Sequence, residues 1–213
     1  MPRTVWIARH GNRIDFVNPA WFDTAQRPYD PNLSEDGQIQ AEQLANRLVG
    51  EGITQIIASP FLRTVQTAHA VAKKLDLPLK LDWGLGEWLN PEWMSCPETL
   101  SPEFLAKKFP KIDLSHPLGV PNYPETWKVC LQRTAETSQR LVNKFPEDNL
   151  LFVGHGASVL GTAMGLIPTL EEMDIKASLC CLVKIVKNGE EWQLELNGDT
   201  SHLTALEAVI RFN

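Results

Sequence analysis

Short apolar segments alternate with amphipathic helical patterns along most of this chain. The segments are TVWIA (4–8), ITQIIAS (53–59), LPLKLD (77–82) and NLLFVG (149–154), and helical periodicity occupies 34–52, 60–75, 126–145 and 158–166. Strands that alternate with helices form mainly parallel sheets covered on both faces. The sequence therefore predicts an α/β fold: a three-layer sandwich with a mostly parallel central sheet and helices on both faces. A hairpin over 178–198, turning at Asn188-Gly189, completes it.

Length and charge narrow the class of protein. The 213 residues predict one domain over 1–213. A formal net charge of −6 and a pI of about 5.4 argue against a nucleic-acid or anionic-membrane surface, so any anionic ligand needs a few focused cations. No apolar run reaches the length of a transmembrane helix, and MPRTVW lacks the apolar stretch of a signal peptide, which predicts a cytoplasmic protein.

Cysteine and histidine spacing offers no metal site. Cys96, Cys130, Cys180 and Cys181 form no C-x-x-C pair and have no histidine at zinc-ligand spacing. The thiols are therefore predicted to be inert, and no metal is expected.

Polar side chains follow the predicted strands where parallel strands would end at one edge of the sheet. Arg9 and His10 follow the first strand, Arg63 lies in the first turn of the helix after the second, and His155 follows the fourth. Glu87 comes from the loop after the third strand. Because ligands bind at the carboxyl ends of such strands, we expect these side chains to share one pocket.

The residue types in this predicted pocket favour phosphate chemistry. Converging guanidinium groups bind oxyanions by paired hydrogen bonds. One neutral histidine can attack phosphorus, while a second, if charged, shares the phosphate oxygens with the arginines. A carboxylate with a raised pKa can protonate the leaving alkoxide and later accept a proton from water. Glu87 is the candidate, and Glu35, Glu92 and Glu98 are the alternatives.

Four motifs resemble the histidine phosphatase superfamily, also called phosphoglycerate-mutase-like. RHG, SPFLRTVQTA, GLGEW and VGHGAS occur in the family's order at the predicted strand ends. The resemblance implies that His10 is the phosphorylated nucleophile, that Glu87 is the proton donor, and that Arg9, Arg63 and His155 bind phosphate. RHGNRID, SPFLRTVQTAH and GLGEW look most like the phosphatase domains of the T-cell ubiquitin-ligand proteins and ecdysteroid-phosphate phosphatases. In that group the arginine matching Arg13 also binds phosphate.

The chain departs from the family's sequence pattern in two places, and a histidine near its C-terminal end has two possible roles. Asn12 stands where the family commonly has glutamate or glutamine, and its shorter side chain would reshape one wall of the pocket. The pattern that follows RHG in phosphoglycerate mutases, close to ESxWN…F.GW.D, is absent. His202 lies in NGDTSHL, a stretch that packs near the site in several bacterial members, so it has either a supporting or a purely packing role.

A proline- and tryptophan-rich segment over about 88–125 is predicted to be an irregular cap insertion. Six aromatic residues in and around it either line an apolar substrate entrance or pack the cap: Trp83, Trp88, Trp93, Trp127, Phe104 and Phe109. An apolar entrance would favour a bulky or aromatic leaving group.

The sequence thus predicts a cofactor-independent phosphomonoesterase acting through phosphohistidine. Its partners would be a small-molecule or peptide phosphomonoester and, as product, inorganic phosphate. Two alternatives stay open, a phosphoglycerate mutase-type phosphotransferase and a non-catalytic phospholigand-binding module.

Overall fold

The computed structural model describes residues 3–204, which contain one six-stranded sheet flanked by helices. The strands are β1 (Thr4–Arg9), β2 (Gln55–Ala58), β3 (Leu79–Leu81), β4 (Leu150–Gly154), β5 (Leu182–Asn188) and β6 (Glu191–Asp199). The helices are α1 (Ile14–Val17), α2 (Trp21–Thr24), α3 (Glu35–Arg47), α4 (Leu62–Leu75), α5 (Pro102–Lys108), α6 (Trp127–Lys144) and α7 (Gly156–Leu166).

The sheet has the strand order β3-β2-β4-β1-β5-β6. β1 and β2 both pair in parallel with β4, and β3 pairs in parallel with β2. β5 runs antiparallel to β1, and β6 returns antiparallel to β5 through a turn in which Gly189 adopts a φ of 63°. The mostly parallel sheet and the C-terminal hairpin are confirmed.

Alternating side chains of the strands build two apolar cores, one on each face of the sheet. Trp6 and Ala8 of β1 face the core shared with α3, α4 and α5. Val5 and Ile7 face the core shared with α6 and α7. This confirms the predicted three-layer sandwich with helices on both faces.

Helix α4 begins two residues later than the sequence suggested. Pro60 was expected at the helix start, but the helix begins at Leu62, and Phe61 is its extended N-cap residue. The carboxylate of Asp30 accepts the Leu62 backbone N–H at 2.7 Å, so a distant side chain caps the helix. Arg63 lies in the first turn, as predicted.

The segment 88–125 is less irregular than expected. It contains α5, which Ser101 caps through the Phe104 N–H at 3.2 Å, and Leu105 of this helix is fully buried in the core. Ile112 makes a parallel bridge to Leu79 at the edge of the sheet. The middle of the segment therefore covers the sheet edge, and only its two ends approach the strand ends. Two short helices, α1 and α2, lie in the connection between β1 and α3.

Within residues 3–204, the structure contains no helix long and apolar enough to cross a lipid bilayer.

Candidate active site

The carboxyl ends of three adjacent strands bring the predicted polar residues together. β4 lies between β1 and β2, and the His10 backbone N–H donates to Gly154 at 3.0 Å. His10 and His155 consequently have ring centroids 5.3 Å apart. We call the surrounding group the phosphate pocket; it consists of Arg9, His10, Arg63, Glu87 and His155.

His10 is fully buried and oriented by its own loop. Its Nδ1 lies 2.7 Å from the carbonyl oxygen of Gly11, so Nδ1 carries the proton and Nε2 presents a lone pair. Burial lowers the pKa of His10 well below its usual value, and the charges of Arg63 and other basic neighbours lower it further. The imidazole is thus neutral at pH 7, as a nucleophile requires. Gly11 is needed there because a Cβ would meet the Gly37 carbonyl oxygen at 2.6 Å.

His155 is held between a hydroxyl and a carboxylate. Its Nε2 lies 2.8 Å from Ser59 Oγ and its Nδ1 lies 3.3 Å from Glu87 Oε2. Burial lowers the pKa of His155 to about 4, even though the Glu87 charge opposes that shift. The second histidine is therefore also neutral in the ligand-free pocket, and only an added anion would favour its charged form.

Arg63 supplies a buried positive charge. Its side chain is 2% exposed, and the guanidinium carbon lies 4.6 Å above the centre of the Phe61 ring. Nη2 lies 3.3 Å from Glu87, while Nε and Nη1 have no hydrogen-bond partner within residues 3–204. Burial lowers the pKa of Arg63 to about 10, so it stays protonated at pH 7. Its unused donors suit an oxyanion.

Arg9 and Arg13 both border the phosphate pocket, but their guanidinium groups are held by different contacts. Arg9 is buried and donates from Nη1 to the Ala177 carbonyl oxygen at 2.8 Å. Arg13 forms a two-pronged ion pair with Asp15, and its guanidinium stacks 4.3 Å above the Phe16 ring. Both guanidinium groups line the cavity that opens above the pocket.

Glu87 is negatively charged in the ligand-free site, whereas the expected proton donor would be neutral there. A raised pKa was expected, and burial does raise it. The charge that His155 carries at acidic pH, its hydrogen bond and the charge of Arg63 outweigh burial and hold the pKa of Glu87 well below its usual range. The carboxylate is ionised at pH 7. Its second oxygen accepts the Trp88 backbone N–H at 3.0 Å.

An aromatic cavity of about 350 Å³ opens from the phosphate pocket. We call it the tryptophan cavity; its apolar walls are Trp88, Trp93, Trp127, Leu160 and Met173. The Trp88 ring lies 4.7 Å from the Trp93 ring and 4.9 Å from the Trp127 ring, each edge to face. Half of the six predicted aromatic residues thus meet the site. Trp83 packs on Phe61, Phe109 packs on His69, and Phe104 is exposed elsewhere.

The family model of the histidine phosphatase superfamily (branch 1) matches residues 5–200. The chain belongs to this superfamily. The probable phosphoglycerate mutase GpmB of Proteus mirabilis is 30% identical, with 97% of this chain and 99% of that protein aligned. The ecdysone phosphate phosphatase of Bombix mori, solved with tungstate, superposes with a TM-score of 0.76 at 21% identity, covering 99% of this chain and 98% of that one.

Two longer proteins carry a similar region. The 55 kDa subunit of transcription factor tau from Saccharomyces cerevisiae is 29% identical in an alignment that covers 77% of this chain and 41% of that subunit. Human ubiquitin-associated and SH3 domain-containing protein A is 26% identical in an alignment that covers 74% of this chain and 30% of that protein. This histidine phosphatase chain therefore spans less than half the length of either protein.

Sequence reasoning missed a buried clasp behind Glu87. Arg133 of α6 donates to the carbonyl oxygens of Gly84 at 2.9 Å and Glu87 at 3.0 Å, and it pairs with the buried Glu125 carboxylate at 2.6 Å. The clasp fixes the loop that carries Glu87. The available signal was the position of Arg133, three residues after the buried Cys130 and therefore on the same helix face.

Asn12 and His202 lie behind the pocket. The Asn12 side chain donates to Asp36 at 2.7 Å and accepts the Arg13 backbone N–H at 3.0 Å, so it faces the start of α3. His202 contacts the Cys180 carbonyl oxygen at 3.0 Å, and the Cys180 N–H donates to the His10 carbonyl oxygen at 3.1 Å. Asn12 belongs to the loop around His10, His202 reaches that loop through Cys180, and neither residue lines the tryptophan cavity.

Three residues of the phosphate pocket are close enough together to resemble a set of metal ligands. Nitrogen and oxygen atoms of His10, Glu87 and His155 lie within 4.8 Å of one another. Arg9 and Arg63 face the same space, and their positive charges oppose a divalent cation there. The charge pattern favours an anion instead.

Proposed function

We propose that this histidine phosphatase hydrolyses phosphate monoesters through a phosphohistidine on His10. The observation that carries the proposal is the state of His10. A buried neutral imidazole, with its proton on Nδ1, directs the Nε2 lone pair into a pocket bordered by Arg9 and Arg63. Such a group is a ready nucleophile toward a phosphorus atom whose oxygens the arginines hold.

In the first step, His10 Nε2 forms a bond to phosphorus while the phosphorus–oxygen bond to the leaving group breaks. Arg9 and Arg63, with Arg13 at the rim, bind the phosphoryl oxygens and offset their developing charge. His155 joins them as a hydrogen-bond donor through the one ring N–H of its neutral form, so it takes up no proton. The departing oxygen takes a proton from Glu87.

Glu87 obtains this proton when substrate binds. In the free site its carboxylate is ionised, so we propose that the ester arrives as the monoanion and that its proton passes to Glu87. The phosphate charge offsets the field of Arg63 and so permits protonation. In the second step, water attacks the phosphohistidine, gives a proton to Glu87, and releases inorganic phosphate with His10 regenerated.

Hydrolysis of 4-nitrophenyl phosphate tests this proposal. The wild-type enzyme should turn over and should yield, on acid-free quenching, a phosphoenzyme that is labile to acid and stable to base, as a phosphoramidate is. His10→Ala should abolish both. His69→Ala is the matched control, because His69 lies in α4 against Phe109, outside the pocket, and should leave both intact.

The same experiment separates the alternatives. A mutase returns the phosphoryl group to an acceptor such as phosphoglycerate faster than to water, so product analysis with and without that acceptor identifies it. A binding module retains phosphate but never turns over. Either outcome for the wild-type protein would overturn the phosphatase proposal.

The remaining expectations belong to the same proposal. We take residues 1–213 as one domain that needs no metal or other cofactor and that acts on small-molecule or peptide esters rather than on nucleic acid. Full activity after treatment with a chelator is the expected result for the cofactor claim.

A further inference from the structure

The tryptophan cavity lies where a leaving group would emerge from the phosphate pocket. Arg9, Arg13 and Glu87 form its inner end, and Trp88, Trp93 and Trp127 form its walls. Trp93 is 46% exposed and Met173 is 87% exposed, so apolar surface continues to the mouth. Exposed aromatic and methionine side chains beside a charged pocket favour an apolar ligand that covers them.

A carboxylate stands at the outer rim of this cavity. Trp127 Nε1 donates to Glu172 Oε2 at 2.8 Å, which fixes the charge beside the ring. Among the described lining residues, the cations are Arg9 and Arg13, and both belong to the inner end. A leaving group with its own anionic group would therefore meet Glu172 with no cation beside it.

We propose that the tryptophan cavity selects phosphate esters of uncharged aryl or polycyclic alcohols, and that Glu172 rejects leaving groups that bear a second negative charge. This inference rests on the proposed phosphatase function and names its substrate class. It also separates this site from one built for a sugar acid, whose carboxylate needs a positive partner.

A second cavity on the other side of Trp93 is a less suitable place for such a group. It is lined by Asp15, Phe22 and Tyr29 and shares Arg13 and Glu87 with the tryptophan cavity. Arg63, Phe16, Pro28 and Met94 also line it, and Asp15 already pairs with Arg13 there. Of the two cavities, the tryptophan cavity is the one that reaches the start of α7 beside His155, through Gly156 and Ala157. We therefore assign the leaving group to the tryptophan cavity.

Three aryl esters with leaving phenols of similar acidity test the assignment: phenyl, 2-naphthyl and 4-carboxyphenyl phosphate. Similar acidity keeps the chemical step comparable, so differences in kcat/KM report binding of the leaving group in the transition state. The expected order is 2-naphthyl above phenyl above 4-carboxyphenyl. A phosphotyrosine peptide preferred over 2-naphthyl phosphate would overturn the small-molecule assignment.

Two variants locate the selectivity. Trp127→Leu should reduce the preference for 2-naphthyl over phenyl phosphate about tenfold, the size of one lost aromatic contact with its buried area. Phe104→Leu is the matched control, because Phe104 is exposed and lies outside the cavity, and it should leave the preference unchanged. The ratio does not depend on the fraction of folded enzyme, so partial misfolding cannot imitate the result.

Glu172→Gln removes the charge and keeps an acceptor for Trp127 Nε1. It should raise kcat/KM for 4-carboxyphenyl relative to phenyl phosphate about fivefold, a partly screened surface charge effect. The rise should shrink in 1 M salt for the same reason. An unchanged ratio would refute the role of Glu172.

The two levels of the proposal fail in different ways. If the wild-type enzyme hydrolyses none of the three esters, the proposed function is wrong. If it hydrolyses all three with equal kcat/KM, the phosphatase proposal stands and the leaving-group assignment is wrong.

Discussion

The phosphate pocket and the tryptophan cavity adjoin each other, but their residues come from different kinds of structural element. The pocket takes His10, Arg63 and His155 from the ends of parallel strands or from the helix that follows, and backbone pairing fixes where they lie. The cavity takes its walls from a loop, the first residue of α6 and a turn at Glu172–Asp174. In the function and substrate class that we propose, strand ends hold the chemistry and the connecting segments hold the specificity.

This contrast has a kinetic consequence. A change in the pocket should slow the enzyme by a similar factor for esters whose leaving groups have similar acidity. A change in the cavity should alter the ratio between such esters. The ratio of kcat/KM for 2-naphthyl to that for phenyl phosphate tests that separation.

Arg63→Met should have the largest effect. It removes a buried guanidinium that is 3.3 Å from Glu87 and whose other donors face the pocket. We expect kcat/KM to fall on the order of 10⁴-fold for both aryl esters, with their ratio unchanged. Arg140→Met, an exposed arginine of α6, is the matched control. A shifted ratio would show that the pocket also recognises the leaving group.

Glu87→Gln should have the second-largest effect on kcat/KM, and its size should depend on the acidity of the leaving group. Without a proton donor, an alkyl phosphate should lose about 10³-fold in kcat/KM, whereas 4-nitrophenyl phosphate, whose leaving group needs little protonation, should lose about tenfold. Equal losses for the two esters would argue against Glu87 as the proton donor. The 2-naphthyl to phenyl ratio should again stay constant.

The strand ends could be predicted from the sequence because their signals are local. RHG, the helix start before Arg63 and VGHG each join a buried apolar run to a polar turn, and a parallel sheet then brings them together. The GLGEW motif (84–88) located Glu87 but not its charge state, because the pKa of Glu87 depends on Arg63 and His155, which are distant in the chain.

The cavity and the clasp could not be predicted in the same way. Trp88, Trp93 and Trp127 meet only because α6 packs beside the loop after β3, and Glu172 arrives from a turn with no motif. Helix α5 was hidden because its seven residues sit among prolines. Contacts between segments remote in sequence carry no local periodicity from which to infer them.

The pH dependence of kcat/KM should follow the titration of the substrate's phosphate group rather than that of the side chains in the phosphate pocket. The pKa of His155 is about 4, and the pKa values of His10 and Glu87 also lie below their usual ranges, so none of these groups titrates near pH 7. A phosphate monoester loses its second proton near pH 6. If the monoanion delivers the proton to Glu87, kcat/KM should fall about tenfold per pH unit above that value.

Activity measured below pH 6 provides the control for this prediction. Activity should hold below pH 6 and decline only where the pH is low enough to protonate the nucleophile His10, whose pKa lies well below its usual value. An ester with a more acidic phosphate should move the alkaline limb to lower pH by the same amount. A limb that stays fixed for different esters would assign the titration to the enzyme instead.

Arg133→Lys should produce a smaller loss that still reports on Glu87. A lysine keeps the charge beside Glu125 but cannot reach the Gly84 and Glu87 carbonyl oxygens together. We expect about a tenfold loss in kcat for alkyl esters and about a twofold loss for 4-nitrophenyl phosphate, because only the former depends on the position of the acid. A uniform loss would indicate a general packing role for Arg133.

Ser59→Ala should have the smallest effect. It removes the 2.8 Å contact between Ser59 Oγ and Nε2 of His155, so the ring loses one partner and keeps its contact with Glu87. We expect about a fivefold loss in kcat/KM, the value of one neutral hydrogen bond. Ser59 contacts Nε2 of His155, whereas Nδ1 faces Glu87, and Ser59 does not line the tryptophan cavity, so the 2-naphthyl to phenyl ratio should not change. A changed ratio from so remote a substitution would mean that the two regions are mechanically coupled through His155, and the division between chemistry and specificity would have to be abandoned.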